Sequence, residues 1–246
     1  PLSMAMKLIS VQGRAATGPS RPFLCEAEDG RSFFVKGNNV SPDQLLLEWM
    51  LGNLARDCGL PVAPFELVEI PELLASQSVG LSRGEFVPGI AFGSQRVPFG
   101  EDLGESHLRH VPDEMKISLI CFDWWIRNSD RRLGRFGGSP NLVWDPALQG
   151  IVIIDHDQAL DPDFDEGEFF REHVFRDVRP FIDRGTIPRL RDAFEKATGN
   201  LERNWDRMPG EWLEDEFGSS RTKRTMDQLK NELANPKLPV DGILLH

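Results

Sequence analysis

The stretch WWIRNSDRRLGRFGGSPNLVW, Trp124 to Trp144, decides how this chain folds, together with IVIIDHD, Ile151 to Asp157. An apolar, helix-like run ends in Asn-Ser-Asp-Arg, a Gly-rich loop follows, and the next apolar strand closes on three ionisable residues. A strand that only fills a core does not need such an ending. Binding and catalytic side chains concentrate on loops held by a rigid scaffold, so this pattern predicts an active site.

The segments Asn141 to Trp144 and Ile151 to Ile154 are predicted to form a hairpin. A turn centred between them sets Trp144 opposite Ile151 and Asn141 opposite Ile154, one residue before Asp155. An amide oxygen and a carboxylate therefore converge at one end of the hairpin. Both are hard oxygen ligands of the kind that Mg²⁺ accepts beside phosphate and water.

Other polar residues complete a recognisable set. Asp130 lies in the loop that enters the hairpin, close enough to act on a substrate hydroxyl. Lys36 ends an earlier strand, and Glu48 on the next helix is placed to hold it in an ion pair. A base, two metal-binding groups and a lysine are the parts that phosphoryl transfer requires. The pattern predicts phosphoryl transfer assisted by Mg²⁺.

The length, charge and cysteine content of the chain limit the kinds of fold and binding partner that are expected. A chain of 246 residues can form one large domain or one fold with two lobes. Its formal net charge of −11 argues against a general affinity for nucleic acid or an anionic membrane surface, and favours a protein or small-molecule partner. No apolar run of about 18 residues is found, so we expect no membrane span and a cytoplasmic location. The three cysteines are far apart and predict neither disulfides nor a metal knuckle.

The local signals predict an α+β fold, with strands first and helices later. Asp29-Gly30 marks a hairpin between two strand-like runs, and Ser41-Pro42 begins a helix that ends near Gly59. A strand is expected at 65–70, and 71–112 is expected to be loops with a short strand or two. Further helices are predicted at 113–128, 168–175, 186–199, 201–207 and 219–234.

Several motifs, in this order along the chain, resemble those of the HipA-like kinases, especially their short branch. They are Phe34-Val35-Lys36-Gly37, Leu47-Glu48, Cys58-Gly59-Leu60-Pro61-Val62, Asn-Ser-Asp-Arg at 128–131, Asn141-Leu142 and Ile154-Asp155-His156. The resemblance covers roughly Gly13 to Leu160. It implies a protein-kinase-like fold with two lobes: a β-rich nucleotide-binding lobe at 4–95, and a helical lobe at 96–246 that carries the catalytic loop and the metal-binding hairpin.

The resemblance also implies an activity, namely Ser/Thr phosphorylation of a protein with ATP and Mg²⁺. The expected partners are a protein substrate and an antitoxin-like or regulatory protein. Lys36 would hold the α- and β-phosphates and Glu48 would orient it, while Asp130 would accept or orient the substrate hydroxyl. Arg131, or Arg132 beside it, would offset charge on the transferred phosphoryl group. Asn141 and Asp155 are the candidate metal ligands. The candidate residues of a phosphate-binding loop are Gly13, Gly18 and Ser20.

Two positions depart from the family pattern. Many relatives carry the metal-binding Asn five residues after the catalytic Asp, where this chain has Arg135, which has no free acceptor for Mg²⁺. Relatives carry Gly at the position of Asp157. These departures leave a pseudokinase binding module open as an alternative. Type II phosphoinositide kinases share the Asn-x-Asp-Arg and Ile-Asp pieces, so a lipid kinase is a second alternative, and a metal-dependent hydrolase is a third.

Overall fold

The fold mixes strands and helices, with most strands in the first half of the chain and most helices in the second. The structure is a computed structural model, and it describes residues 5–15, 20–78, 85–133, 140–183, 185–213, 220–234, 236 and 238. Within these ranges the strands are β1 (Met6–Arg14), β2 (Phe23–Ala27), β3 (Ser32–Lys36), β4 (Phe65–Ile70), β5 (Gly89–Gln95), β6 (Glu101–Asp102), β7 (Leu142–Asp145) and β8 (Gly150–Ile153).

The helices of the described part of the chain are α1 (Pro42–Asp57), α2 (Glu72–Gln77), α3 (Glu105–Leu108), α4 (Asp113–Trp125), α5 (Glu166–Glu172), α6 (Thr186–Thr198), α7 (Leu201–Trp205), α8 (Gly210–Leu213) and α9 (Ser220–Leu233). A 3₁₀ helix spans Arg176–Phe181. Of these, α2, α3, α8 and the 3₁₀ helix were not predicted. A search of the described helices finds none long and apolar enough to cross a membrane.

The first five strands close into a small barrel in the order β1-β2-β3-β5-β4. Alternate residues of β2 point inward, which is why its burial alternates along the strand. The predicted hairpin across Asp29-Gly30 is confirmed by the pairing of β2 with β3, and Gly30 has the positive φ of 82° that such a turn favours. The barrel brings Lys36 to the end of β3.

One strand of the barrel differs from the prediction, and another lies in a segment where a strand was predicted without bounds. Gly13 was expected in a loop before the first strand, but it lies within β1, opposite Leu24 of β2. The segment 71–112 was expected to contain a short strand or two among loops, and β5 and β6 lie there; β5 pairs along its length with both β3 and β4. A Cβ at Gly93 in β5 would lie 2.6 Å from a methyl of Val68. Glycine is therefore required there by close packing, and this glycine hides the strand in the sequence.

Helix α1 begins and ends as predicted. Ser41 caps its first turn in a capping box with Gln44, and Gly59, with a φ of 80°, follows its end. The helix is buried along most of its length, and this burial extends to Glu48. Because a buried carboxylate needs a partner, the position of Glu48 already indicates a cation nearby.

The second sheet has the order β6-β7-β8. Trp144 pairs with Ile151 and Leu142 with Ile153, so the predicted hairpin register is confirmed. Backbone hydrogen bonds join Ile153 to Pro61 and Ala63, which follow α1. The end of β8 is therefore fixed close to α1. The division at residues 95 and 96 and the arrangement into two lobes stay predictions.

Candidate active site

Lys36 and Glu48 form a buried ion pair. Lys36 is 5% exposed at the end of β3, and Glu48 is 2% exposed in the middle of α1. The Nζ of Lys36 lies 2.5 Å from Oε1 of Glu48, so the predicted pair is confirmed. The second oxygen of Glu48 accepts the backbone N–H of His156 at 2.9 Å. One carboxylate thus joins the barrel, α1 and the segment after β8.

Two more carboxylates surround the same ammonium group. The Nζ of Lys36 lies 2.9 Å from Oδ2 of Asp155 and 2.9 Å from Oδ2 of Asp157. Burial by itself lowers the pKa of Lys36, but attraction by the three carboxylates outweighs it and raises the pKa above its ordinary value. Burial also acts to raise the pKa of Asp155, yet Lys36 outweighs it and the pKa is lowered. Lys36 is therefore held in its charged form.

The pKa of Asp157 is shifted in the opposite direction to that of Asp155. Burial raises its pKa first, repulsion by Asp155 raises it further, and Lys36 only partly opposes these effects. Burial likewise raises the pKa of Glu48. The cluster thus contains more negative charge than its one lysine neutralises, which favours the arrival of a cation.

The loop after α4 presents Asp130. The side-chain amide of Asn128 donates to Asp123 at 3.0 Å, and its oxygen accepts the backbone N–H of Asp130 at 3.3 Å. Asp130 as a whole residue is solvent-exposed. Partial desolvation of its carboxylate raises the pKa of Asp130, while a hydrogen bond from Asn141 opposes the rise and the charge of Asp155 adds to it. A buried scaffold therefore holds an accessible carboxylate.

Asn141 lies beside this carboxylate, with its Nδ2 donating to Oδ2 of Asp130 at 2.8 Å. Its carbonyl accepts the N–H of Ile154 at 3.1 Å, which places Asn141 opposite Ile154 as predicted. Asn141 and Asp155 both have positive φ, 55° and 60°. Left-handed backbone at non-glycine residues costs free energy and clusters at functional sites, although Asn and Asp tolerate it better than other residues.

Arg131 is not placed as predicted for a group that contacts a phosphoryl. Its side chain is fully buried, and Nε donates to Asp123 at 2.7 Å. Its Nη1 donates to the carbonyl oxygen of Asn141 at 2.9 Å, with those of Pro140 and Ile154 at 3.3 and 3.5 Å. The guanidinium is thus bonded inside the protein through Nε and Nη1, while the buried Nη2 has no hydrogen-bond partner among the described residues. It ties together the backbone beneath Asn141 and beside Asp155.

His173 extends this buried network and was not found from the sequence. Its Nδ1 accepts the backbone N–H of Phe175 at 3.0 Å, so the proton of the neutral ring is on Nε2, which lies 3.0 Å from Asp123. Burial lowers the pKa of His173, which favours that neutral form. The signal in the sequence was Asp123 itself, because an acidic residue inside an apolar helix requires buried partners.

The donor set fits Mg²⁺. Glu48, Asp155 and Asp157 each offer a carboxylate oxygen, and these oxygens lie within 4.8 Å of one another. Asn141 adds an amide group near Asp130. Carboxylate and amide oxygens are the ligands that Mg²⁺ prefers, and it commonly takes only one or two of them beside phosphate and water.

The predicted phosphate-binding loop is only partly described. Gly18 lies outside the described residues, as does Arg135. Ser20 is described, and its carbonyl oxygen accepts a hydrogen bond of 2.9 Å from the side chain of Asn39, which follows β3. Gly13 lies in β1. Within the described part of the chain, no contact is seen between Gly13 or Ser20 and the cluster of Lys36 with its three carboxylates. Phosphate binding by this loop stays a prediction.

His156 gives a prediction about stability. Burial lowers its pKa to about 3, from an ordinary value of about 6.5. Because the folded-state pKa lies below the unfolded one, its contribution is complete above about pH 6.5 and is lost as the pH falls. Between pH 7.5 and 5 we expect the wild type to lose about 2 kcal/mol more unfolding free energy than His156→Gln, measured by urea denaturation. Equal losses would show that His156 is not held neutral.

Comparison with known proteins gives one family. The sequence profile of the HipA-like kinases matches residues 8–239, a range that contains every residue of the cluster described above. Among solved structures, the chain is similar to the Helicobacter pylori proinflammatory kinase CtkA, with 13% identity and a TM-score of 0.47 over 98% of this chain and 97% of that one. No curated protein matches the chain.

Proposed function

Because the chain belongs to the HipA-like kinase family, we propose that it is a protein Ser/Thr kinase that uses ATP and Mg²⁺ and has the two-lobed arrangement of protein kinases. The observation that carries the proposal is the meeting of Lys36, Glu48 and Asp155, with Asp130 close enough to interact electrostatically with Asp155. Asn141 is hydrogen-bonded to Asp130. These are the groups that phosphoryl transfer uses to position a nucleotide, a metal and a hydroxyl.

In this proposal Lys36 binds the phosphates of the nucleotide and Glu48 positions Lys36. A charged lysine at the end of a barrel strand offers N–H donors to the phosphates, and Glu48 fixes its position through the 2.5 Å contact. Glu48 is itself held by the backbone N–H of His156. The lysine is therefore positioned before the nucleotide arrives, which reduces the reorganisation needed during transfer.

Asp155 and Asn141 are the proposed metal ligands. Bound Mg²⁺ would supply charge neutralisation at the phosphate oxygens. Asn141 would contribute an amide oxygen and Asp155 a carboxylate oxygen. Both residues have left-handed backbone. Arg131 acts as a positioning residue here, because its guanidinium holds the carbonyl oxygens of Asn141 and Ile154 and is itself held by Asp123.

Asp130 is the proposed base. Its carboxylate is accessible, it accepts a hydrogen bond from Asn141, and its raised pKa brings it nearer to the range in which a carboxylate accepts a proton efficiently. The proton of the substrate hydroxyl would pass to Asp130 as the hydroxyl oxygen bonds to the γ-phosphorus, and the bond between that phosphorus and the bridging oxygen would break to release ADP. We retain a protein substrate, an antitoxin-like or regulatory partner and a cytoplasmic location as part of the proposal.

The role of Asn141 can be separated from its backbone conformation. Asn141→Gly keeps a residue that tolerates the φ of 55° but removes the amide, so we expect a higher Mg²⁺ requirement and a loss of phosphotransfer of tenfold or more. Mg²⁺ titrations of the initial rate measure both. Arg135→Ala serves as the comparison and should change turnover less than about tenfold. Wild-type behaviour of Asn141→Gly would mean that Asn141 has only a conformational role.

Nucleotide binding tests the proposal against its alternatives. Titration with ATP, with and without Mg²⁺, should raise the melting temperature by mass action, and no rise would favour a binding module that uses no nucleotide. Incubation with phosphoinositide vesicles tests the lipid kinase. Release of inorganic phosphate without transfer to protein would favour the hydrolase.

A further inference from the structure

Three carboxylate oxygens crowd the ammonium group of Lys36. A lysine ammonium group has three donors. Its Nζ donates hydrogen bonds to Glu48 at 2.5 Å and to Asp157 at 2.9 Å, and it lies 2.9 Å from Oδ2 of Asp155 in an ion pair. A phosphate oxygen that approaches Lys36 must therefore compete with these carboxylates for the ammonium group.

Glu48 cannot readily give way. Its side chain is 2% exposed, it lies in the middle of α1, and its second oxygen accepts the backbone N–H of His156. Removing it from Lys36 would leave a buried carboxylate without its cation, which is costly. Asp155 is a proposed metal ligand, and in the absence of a metal ion it depends on Lys36 for its counter-charge.

Asp157 is not one of the two proposed metal ligands, and it has neutral hydrogen-bond partners besides Lys36. Its Oδ2 also lies 3.4 Å from Nε2 of Gln44, a residue of the first turn of α1, and its Oδ1 accepts from Gln158 at 2.9 Å. Its backbone N–H donates to Asp155 at 3.3 Å. The Asp157 carboxylate is therefore set on Lys36 by contacts from both sides.

We propose that Asp157 is an internal competitor of the nucleotide: its carboxylate occupies the position on Lys36 that a phosphate oxygen takes, and nucleotide binding must displace it. This inference rests on the proposed function, because it concerns the same lysine. Two costs follow for an incoming nucleotide. Lys36 must exchange an existing charge-assisted hydrogen bond for a new one, and the phosphates must approach a third carboxylate. Asp157 thereby sets the affinity for nucleotide.

Substitution by an uncharged residue of the same size tests this directly. Asp157→Asn keeps the volume and one oxygen but removes the charge. We expect its Kd for ATP, measured by titration calorimetry in the presence of EDTA, to be about tenfold lower than that of the wild type, a difference of about 1.4 kcal/mol. With Mg²⁺ the difference should shrink, because the metal ion offsets the repulsion that Asp157 causes. Asp163→Asn makes the same change of charge at an exposed position of the following turn and should leave the Kd unchanged.

The outcomes separate this inference from the proposed function. If the wild type binds ATP and Asp157→Asn binds it equally or more weakly, Asp157 is no competitor, while the kinase proposal stands. If neither protein binds ATP, either in EDTA or with Mg²⁺, both proposals fall. The same titration with Asp157→Ser guards against a folding defect peculiar to Asn. Equal tightening in Asp163→Asn would assign the effect to net charge and would also overturn the inference.

Discussion

Loss of Lys36 is expected to reduce phosphotransfer by on the order of a thousandfold, because Lys36→Met removes the cation that the proposal places on the phosphates. Asp155→Asn should cause a comparable loss, since it removes the charge of a proposed metal ligand. Initial rates with labelled ATP measure both. Lys116→Met removes the same charge from α4, where Lys116 pairs only with Asp113 among the contacts seen, and should keep the wild-type rate.

The structure adds a reason to examine the fold of the lysine variant. Lys36→Met leaves Glu48, Asp155 and Asp157 without their shared cation, and buried unpaired carboxylates destabilise a protein. Asp155→Asn leaves Lys36 with two other carboxylates and is the cleaner variant. Retention of wild-type turnover by folded Lys36→Met or Asp155→Asn would remove these residues from the active site.

For Asp130 we expect a loss of at least about a hundredfold in Asp130→Ala, the lower range for a positioned general base. Asp130→Asn is the informative companion. It can still accept the hydrogen bond that Asn141 donates at 2.8 Å, but it cannot accept a proton. A base role predicts that both variants are impaired in single-turnover phosphotransfer. If Asp130→Asn stays near the wild-type rate, the residue serves only to shape the loop.

Local signals in the sequence carried the prediction of several elements. The β2–β3 hairpin follows from Asp29-Gly30, and α1 follows from Ser41-Pro42 and Gly59. The register of β7 and β8 follows from the length of their turn. In each case the residues that determine the element lie within it or at its ends, so a reader of the sequence can see them.

Elements fixed by distant residues could not be predicted in the same way. β5 contains Gly93, whose presence is explained only by the contact with Val68 on β4. β1 was missed because no turn or alternation in the sequence announces it, although it pairs with both β2 and β4. Such strands owe their stability to neighbours that are far away in the chain.

In the candidate site, too, residues marked by local sequence motifs were predicted, whereas contacts between distant residues were not. Lys36, Glu48 and Asp155 were recognised by spacing and resemblance, and the structure brings them together. Arg131 was assigned to the phosphoryl group because a motif places it beside Asp130, whereas its partner Asp123 lies in α4 and can be identified only from the fold. The contact of Asp157 with Lys36 spans 121 positions of the chain, and no sequence pattern indicates it.

Transfer of the γ-phosphate is the measurement that tests the central claim most directly. Wild-type protein and Asp155→Asn would be incubated with γ-labelled ATP, Mg²⁺ and lysate proteins, and the labelled products separated into phosphoamino acids, lipid and inorganic phosphate. The account predicts phosphoserine or phosphothreonine on protein, formed by the wild type and absent with Asp155→Asn. Label that appears only in lipid or inorganic phosphate, or equally with both proteins, would contradict it.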